Sequence, residues 1–113
     1  MIKIILTIFL SINLYSIDMG YTLFQGNCVT CHNPTKSISA PSMVELRSRY
    51  LDAFPNKKDF VDYMSVWVKT PKEETSIMED SIKKYGLMPN LAFSLDTTKV
   101  ISNYIYKTDF SNK

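Results

Sequence analysis

The sequence predicts an all-α domain of about four to five short helices wrapped around one covalently bound prosthetic group, and three observations point there. Apolar residues recur three and four positions apart through most of the chain, the period of a helix that buries one face. Pro34, Pro41, Pro55, Pro71 and Gly86 cut that pattern into short pieces. Cys28-Val29-Thr30-Cys31-His32 is the C-x-x-C-H pattern by which haem is held covalently: each thiol adds across a vinyl group and the following histidine ligates iron.

The spacing of that motif is mechanical. Two cysteines three positions apart on one helical turn span an edge of a porphyrin, and a histidine directly after the second is pinned beside the iron. Cys28 and Cys31 are the only cysteines in the chain, and His32 is the only histidine. Other chemistries fit less well. A structural zinc site needs four ligands, commonly from two Cys/His pairs, and there is no second pair. A thioredoxin-like C-x-x-C opens a helix after a strand in a βαβ unit, an alternation that does not surround Cys28. A plain disulfide over so short a span is strained and leaves His32 without a role.

The chain begins with Lys3, an apolar stretch from Ile4 to Leu10 and on through Ile12, then small or polar residues to Ser16. Residues 1–16 therefore read as a secretory signal peptide cleaved after Ser16, the alternative being an uncleaved membrane anchor. Export agrees with the motif, because a haem thioether is assembled outside the cytoplasm, and the implied compartment is the bacterial periplasm. Loss of residues 1–16 leaves 97 residues, with 12 Lys/Arg against 11 Asp/Glu. That is one domain with no basic field to attract nucleic acid. Repeats and low-complexity segments are lacking.

The elements follow in order. Asp18 caps a first helix whose Tyr21, Phe24, Cys28 and Cys31 share an apolar stripe, and Asn33-Pro34 breaks it. Thr35 to Pro41 has the composition of a loop. Ser42 caps a second helix carrying Met43, Leu46, Tyr50 and Leu51, which stops near Pro55. Asn56 caps a third, ending before Pro71; its valines admit a strand, but Phe60, Met64 and Trp67 follow a helical stripe. A capping box from Ser76 to Glu79 opens a fourth helix through Tyr85, with Ile77 or Met78, Ile82 and Tyr85 inward, and Gly86 ends it. The loop Leu87 to Phe93 is too apolar to lie free in water. A last helix runs from about Asp96 to Lys107 and buries Val100, Ile101, Tyr104 and Ile105. Short helices joined by apolar loops make a poor core alone, so the haem is expected to complete it.

These residues resemble the class I c-type cytochromes. The family places a glycine eight positions and an aromatic four positions before the first cysteine, here Gly20 and Phe24, at the crossing with the last helix, whose aliphatic and aromatic answer in Ile101 and Tyr104. The resemblance implies that a proline carbonyl holds the proximal histidine, Pro41 in preference to Pro34. It also implies a methionine just before a proline as the second axial ligand, and Met88-Pro89 matches. It spans nearly all of residues 17–113, the expected cytochrome domain. It is weakest over the helices from Met43 to Trp67, and the family's glycines after C-x-x-C-H are absent from Thr35 to Ala40.

Met88 is also favoured on physical grounds. Of the six methionines, Met1 falls in the signal segment, Met19 sits on the tether helix, too close in sequence to reach the far face, and Met43, Met64 and Met78 lie on candidate helices, where methionine commonly fills core. A loop stiffened by Pro89 can lay a side chain over iron, and Met78 is the alternative. Trp67 reads as a core residue whose indole N–H could reach a haem propionate. Lys83-Lys84 and Lys57-Lys58 read as solvated faces, with partner steering the alternative for both. The function expected is a periplasmic monohaem one-electron carrier of a respiratory chain, with no catalytic residue and one haem c per chain. The expected form is a monomer that meets periplasmic or membrane redox proteins such as a quinol-oxidising complex, a terminal oxidase or a peroxidase. The alternatives are a haem enzyme or gas sensor with an open iron position, and a fixed subunit that passes electrons into a periplasmic oxidoreductase.

Overall fold

The computed structural model describes residues 18–112, and the expected signal segment, residues 1–16, lies outside them. Five helices follow one another: α1 (Met19–Asn27), α2 (Met43–Ala53), α3 (Lys57–Lys69), α4 (Glu79–Tyr85) and α5 (Leu95–Lys107), with a single 3-10 turn at Glu73–Thr75. The described residues contain no strand, so the valines of α3 stand on a helix. Among the described residues no helix is long and apolar enough to cross a membrane.

Local chemistry sets most helix starts. Asp18 Oδ1 accepts from the N–H groups of Gly20 and Tyr21 at 3.0 and 3.3 Å, which opens α1. Its other oxygen meets Lys107 Nζ at 3.1 Å, tying the end of α5 to the start of α1. Ser42 Oγ takes the N–H of Glu45 and Asn56 Oδ1 that of Asp59, opening α2 and α3. The last helix starts one residue earlier than the sequence suggests, because Ser94 Oγ accepts from Thr97 N–H at 3.2 Å.

The start of α4 departs from expectation. Ser76 Oγ accepts from the N–H of Met78 at 3.0 Å, two residues on, and no capping box with Glu79 forms. Met78 occupies the cap position with φ −125° and ψ 53° and caps nothing through its side chain. The far end behaves as expected: Gly86 at φ 87° takes a conformation a side chain resists, and it stops the helix.

α5 is the central strut, packed most extensively on α3 and then on α1. Its buried face carries Thr98, Ile101, Ser102, Tyr104 and Ile105. Val100, expected on that face, is 39% exposed. At the crossing with α1 the backbones come so close that a Cβ on Gly20 would stand 2.6 Å from Tyr104 Cβ and 3.1 Å from the Val100 carbonyl oxygen. Phe24 packs on Tyr104 and on Phe110 with centroids 5.3 Å apart in each case, and Phe110 is a core residue beyond the last helix. Gly20→Ala should therefore cost about 1–3 kcal/mol, because neither neighbour can rotate away, and this outweighs the ~1 kcal/mol by which alanine favours helix. Urea unfolding of the variant measures it, and an unchanged midpoint would count against the crossing.

Arg47 is a tie that periodicity does not reveal. From α2 its Nε donates to the carbonyls of Ile105 and Tyr106 at 3.0 and 3.2 Å, and its Nη2 reaches Tyr106 at 2.8 Å. It satisfies the last carbonyls of α5 from another helix.

Candidate functional site

The motif hangs from the end of α1. Cys28 is the C-cap: its N–H donates to the Phe24 carbonyl at 2.9 Å, and its own carbonyl accepts from Cys31 and His32 at 3.3 and 2.8 Å. The chain thus makes one more tight turn after the helix, and both cysteines and His32 face one cavity. The loop that follows contains no glycine. Asn33 Oδ1 accepts from the N–H groups of Thr35 and Lys36, each at 3.0 Å, while the carbonyls of Asn33 and Pro34 accept from Met43 and Val44. Ser37 Oγ accepts from Ser42 N–H at 2.9 Å and donates to Glu45. The loop folds back onto the start of α2.

That return brings Pro41 to His32. His32 Nδ1 lies 2.9 Å from the Pro41 carbonyl oxygen, and Pro34 makes no bond to the ring. Burial lowers the His32 pKa, with the Pro41 bond acting in the opposite sense, so the ring is neutral at pH 7. A carbonyl can only accept, so Nδ1 carries the single ring proton and Nε2 keeps its lone pair. This is the arrangement that orients a metal-binding imidazole and raises its basicity.

Cys28 is half-buried and Cys31 exposed. Burial, and secondarily the charge of Cys31, pushes the Cys28 thiol up to about 11. In protein produced without haem, alkylation at pH 8 should therefore modify Cys31 first, with Cys28 speeding up as the pH rises toward 11. Peptide mass mapping reads the order, and equal rates would mean that Cys28 is not buried in that form. Among the described residues no three His, Cys, Asp or Glu side chains converge closely enough to share one metal ion.

The cavity is lined mostly by apolar side chains and encloses about 1020 Å³ of empty space including its open mouth. Met88 lines it, as the loop reading requires, together with Leu87 and Pro89. Leu87 and Leu91 stay 47% and 43% exposed, so the apolar loop covers the cavity only in part. Met78 lines the same cavity and is 6% exposed, and Met43 and Met64 line it as well, so Met88 is one of four thioethers at its wall. Pro41 is buried there too. Trp67 presents its ring to the cavity, while its indole N–H donates to the Lys72 carbonyl at 2.9 Å.

Several lining residues escaped the sequence reading. Ser76 and Ser81 line the cavity from the α4 side, where apolar periodicity gives no signal for serine. Lys84 Nζ lies 5.2 Å from the centre of the Tyr85 ring, and Tyr85 lines the cavity, so one lysine of the Lys83-Lys84 pair stands near the site. Lys58 instead pairs with Asp62 at 2.8 Å on the face of α3. Comparison with protein families, with curated proteins and with solved structures found no match for this chain.

Proposed function

We propose that the chain is an exported monohaem c-type cytochrome that carries single electrons between periplasmic or membrane redox proteins. One observation carries the reading: Cys28, Cys31 and His32, whose Nδ1 is held by the Pro41 carbonyl, border one apolar cavity with Met88. Two thiols, an imidazole nitrogen with a free lone pair and a thioether are the donor set that a covalently tethered haem requires. Cys28 and Cys31 would hold the ring, His32 Nε2 and Met88 the iron. A haem held by these residues would supply a one-electron couple.

The chain's own residues supply the rest. Pro41 fixes the face that His32 presents, and Leu87, Met88, Pro89, Ile101 and Ile105 make the cavity wall apolar. No residue acts as acid, base or nucleophile toward a substrate. Lys84 beside the cavity is suited to steering an acidic partner surface, such as that of a quinol-oxidising complex, a terminal oxidase or a peroxidase.

The absorption spectrum of the purified oxidised protein tests the reading at its decisive point. A weak band at the red end, from sulfur bound to ferric haem, is the expected result. A spectrum without it would favour a sensor or enzyme with an open iron position. Export carries its own test: intact mass should show loss of about the first sixteen residues and gain of one haem. A mass that retains Met1 to Ser16 would replace the free carrier with a tethered one.

A further inference from the structure

The cavity wall from Ser76 to Pro89 supplies Met78, Ile82, Tyr85 and Met88, yet it is joined to the other helices by few polar contacts. α4 has seven residues and buries only Ser81. Near the start of this stretch, Trp67 Nε1 donates to the Lys72 carbonyl and Tyr63 Oη to that of Thr75. Farther along, Arg49 on α2 grips Asp80 with both arms of its guanidinium, Nη1 to Oδ2 at 2.8 Å and Nη2 to Oδ1 at 2.8 Å. Its Nη2 also lies 3.5 Å from the Ile77 carbonyl oxygen.

Beyond Asp80 the polar ties stop. No side-chain hydrogen bond among the described residues runs from residues 81–93 to another helix, and the bond from Ala92 N–H to Asn90 Oδ1 at 2.8 Å is internal to the loop. Apolar contacts hold this part, and apolar contacts alone do not fix a direction. A forked arginine–carboxylate pair does, because two parallel hydrogen bonds define an orientation as well as a distance.

We infer that the Arg49–Asp80 pair is a positioning clasp that docks α4 on α2 and thereby sets where the Met88 loop lies at the cavity. The inference rests on the reading of Met88 as an iron ligand, but the clasp itself concerns only this chain's residues. The side chains of Arg49 and Asp80 are 34% and 67% exposed, so solvent screens the pair and a modest local effect follows.

The test is a double-mutant cycle on the full haem-loaded protein, comparing R49Q, D80N and R49Q/D80N by hydrogen exchange and mass spectrometry. Amides of residues 81–93 should exchange roughly two- to fivefold faster in either single variant, with the double variant no faster than the singles. Exchange in α1, α3 and α5 should be unchanged. Imidazole should displace the sulfur from the ferric protein faster by a similar factor, read as loss of the red band. Unchanged exchange over residues 81–93, additive effects in the double variant, or uniform acceleration across all helices would each overturn the clasp. Wild-type protein whose haem lacks the sulfur band would instead overturn the ligand reading, and the exchange cycle would still decide the clasp.

Discussion

Serine in place of both Cys28 and Cys31 should leave a protein from which acidified organic solvent removes all haem, with no haem stain on a denaturing gel. The structure makes this a test of chemistry and not of folding. The hydrogen bonds that shape the motif's turn, from Cys28 to Phe24 and from Cys31 and His32 to Cys28, are all between backbone groups, so serine keeps them. A hydroxyl does not add to a vinyl group as a thiol does. Either single variant keeps one thioether and should mature poorly or hold haem by one bond. His32→Ala removes the only imidazole in the chain and leaves the buried Pro41 carbonyl without its partner, so a normal holoprotein should not form. Absence of stain from wild-type protein matured in a competent periplasm would sink the whole assignment.

The parts of the fold that were legible in the sequence are those decided by short-range chemistry. Asp18, Ser42 and Asn56 cap helices because each places an oxygen two or three residues ahead of a free N–H, and that relation needs no knowledge of the rest of the chain. The Ser76 to Glu79 capping box has equally good residues and fails. Ser76 spends its oxygen on Met78 instead, and α4 starts at Glu79. Two local bonds compete for the same serine oxygen, and the residue pattern does not say which one forms.

Val100 shows a second limit. A reading by apolar period assigns it to the core, yet the face of α5 that meets the other helices holds Thr98 and Ser102, both essentially inaccessible, with Ser65 equally so on α3. Their hydroxyls return to the chain's own carbonyls: Thr98 to Leu95, Ser102 to Thr98, Ser65 to Asp62. With its hydroxyl satisfied, a small side chain is as suited to a close helix contact as an apolar one, and hydropathy does not detect it. At the site, the Cys28-to-His32 motif was legible because its spacing is local, and the structure places all three side chains at one cavity. Arg47, Ser37 and Asn33, which shape its surroundings, act over loops and helix ends where periodicity is silent.

Met88→Ala should lower the reduction potential, by on the order of 0.1 V within the ~0.8 V range that axial ligands span, and should let ferrous haem bind carbon monoxide readily. The argument is that a thioether favours ferrous iron and closes the position, whereas water or a stray side chain does neither. The fold should survive the change. Met88 is only half-buried in a loop, and the α1–α5 crossing is carried by Gly20, Phe24 and Tyr104 with Phe110. Met78 is the control that the structure makes necessary, since it borders the same cavity and is the more buried of the two. Met78→Leu conserves volume and should cost less than about 1.5 kcal/mol while leaving the sulfur band in place. If the band vanishes in Met78→Leu and persists in Met88→Ala, the ligand is Met78, and the segment ahead of α4, not the loop after it, closes the iron. If wild-type protein binds carbon monoxide at once, neither sulfur does so, and an open-site haem protein replaces the carrier.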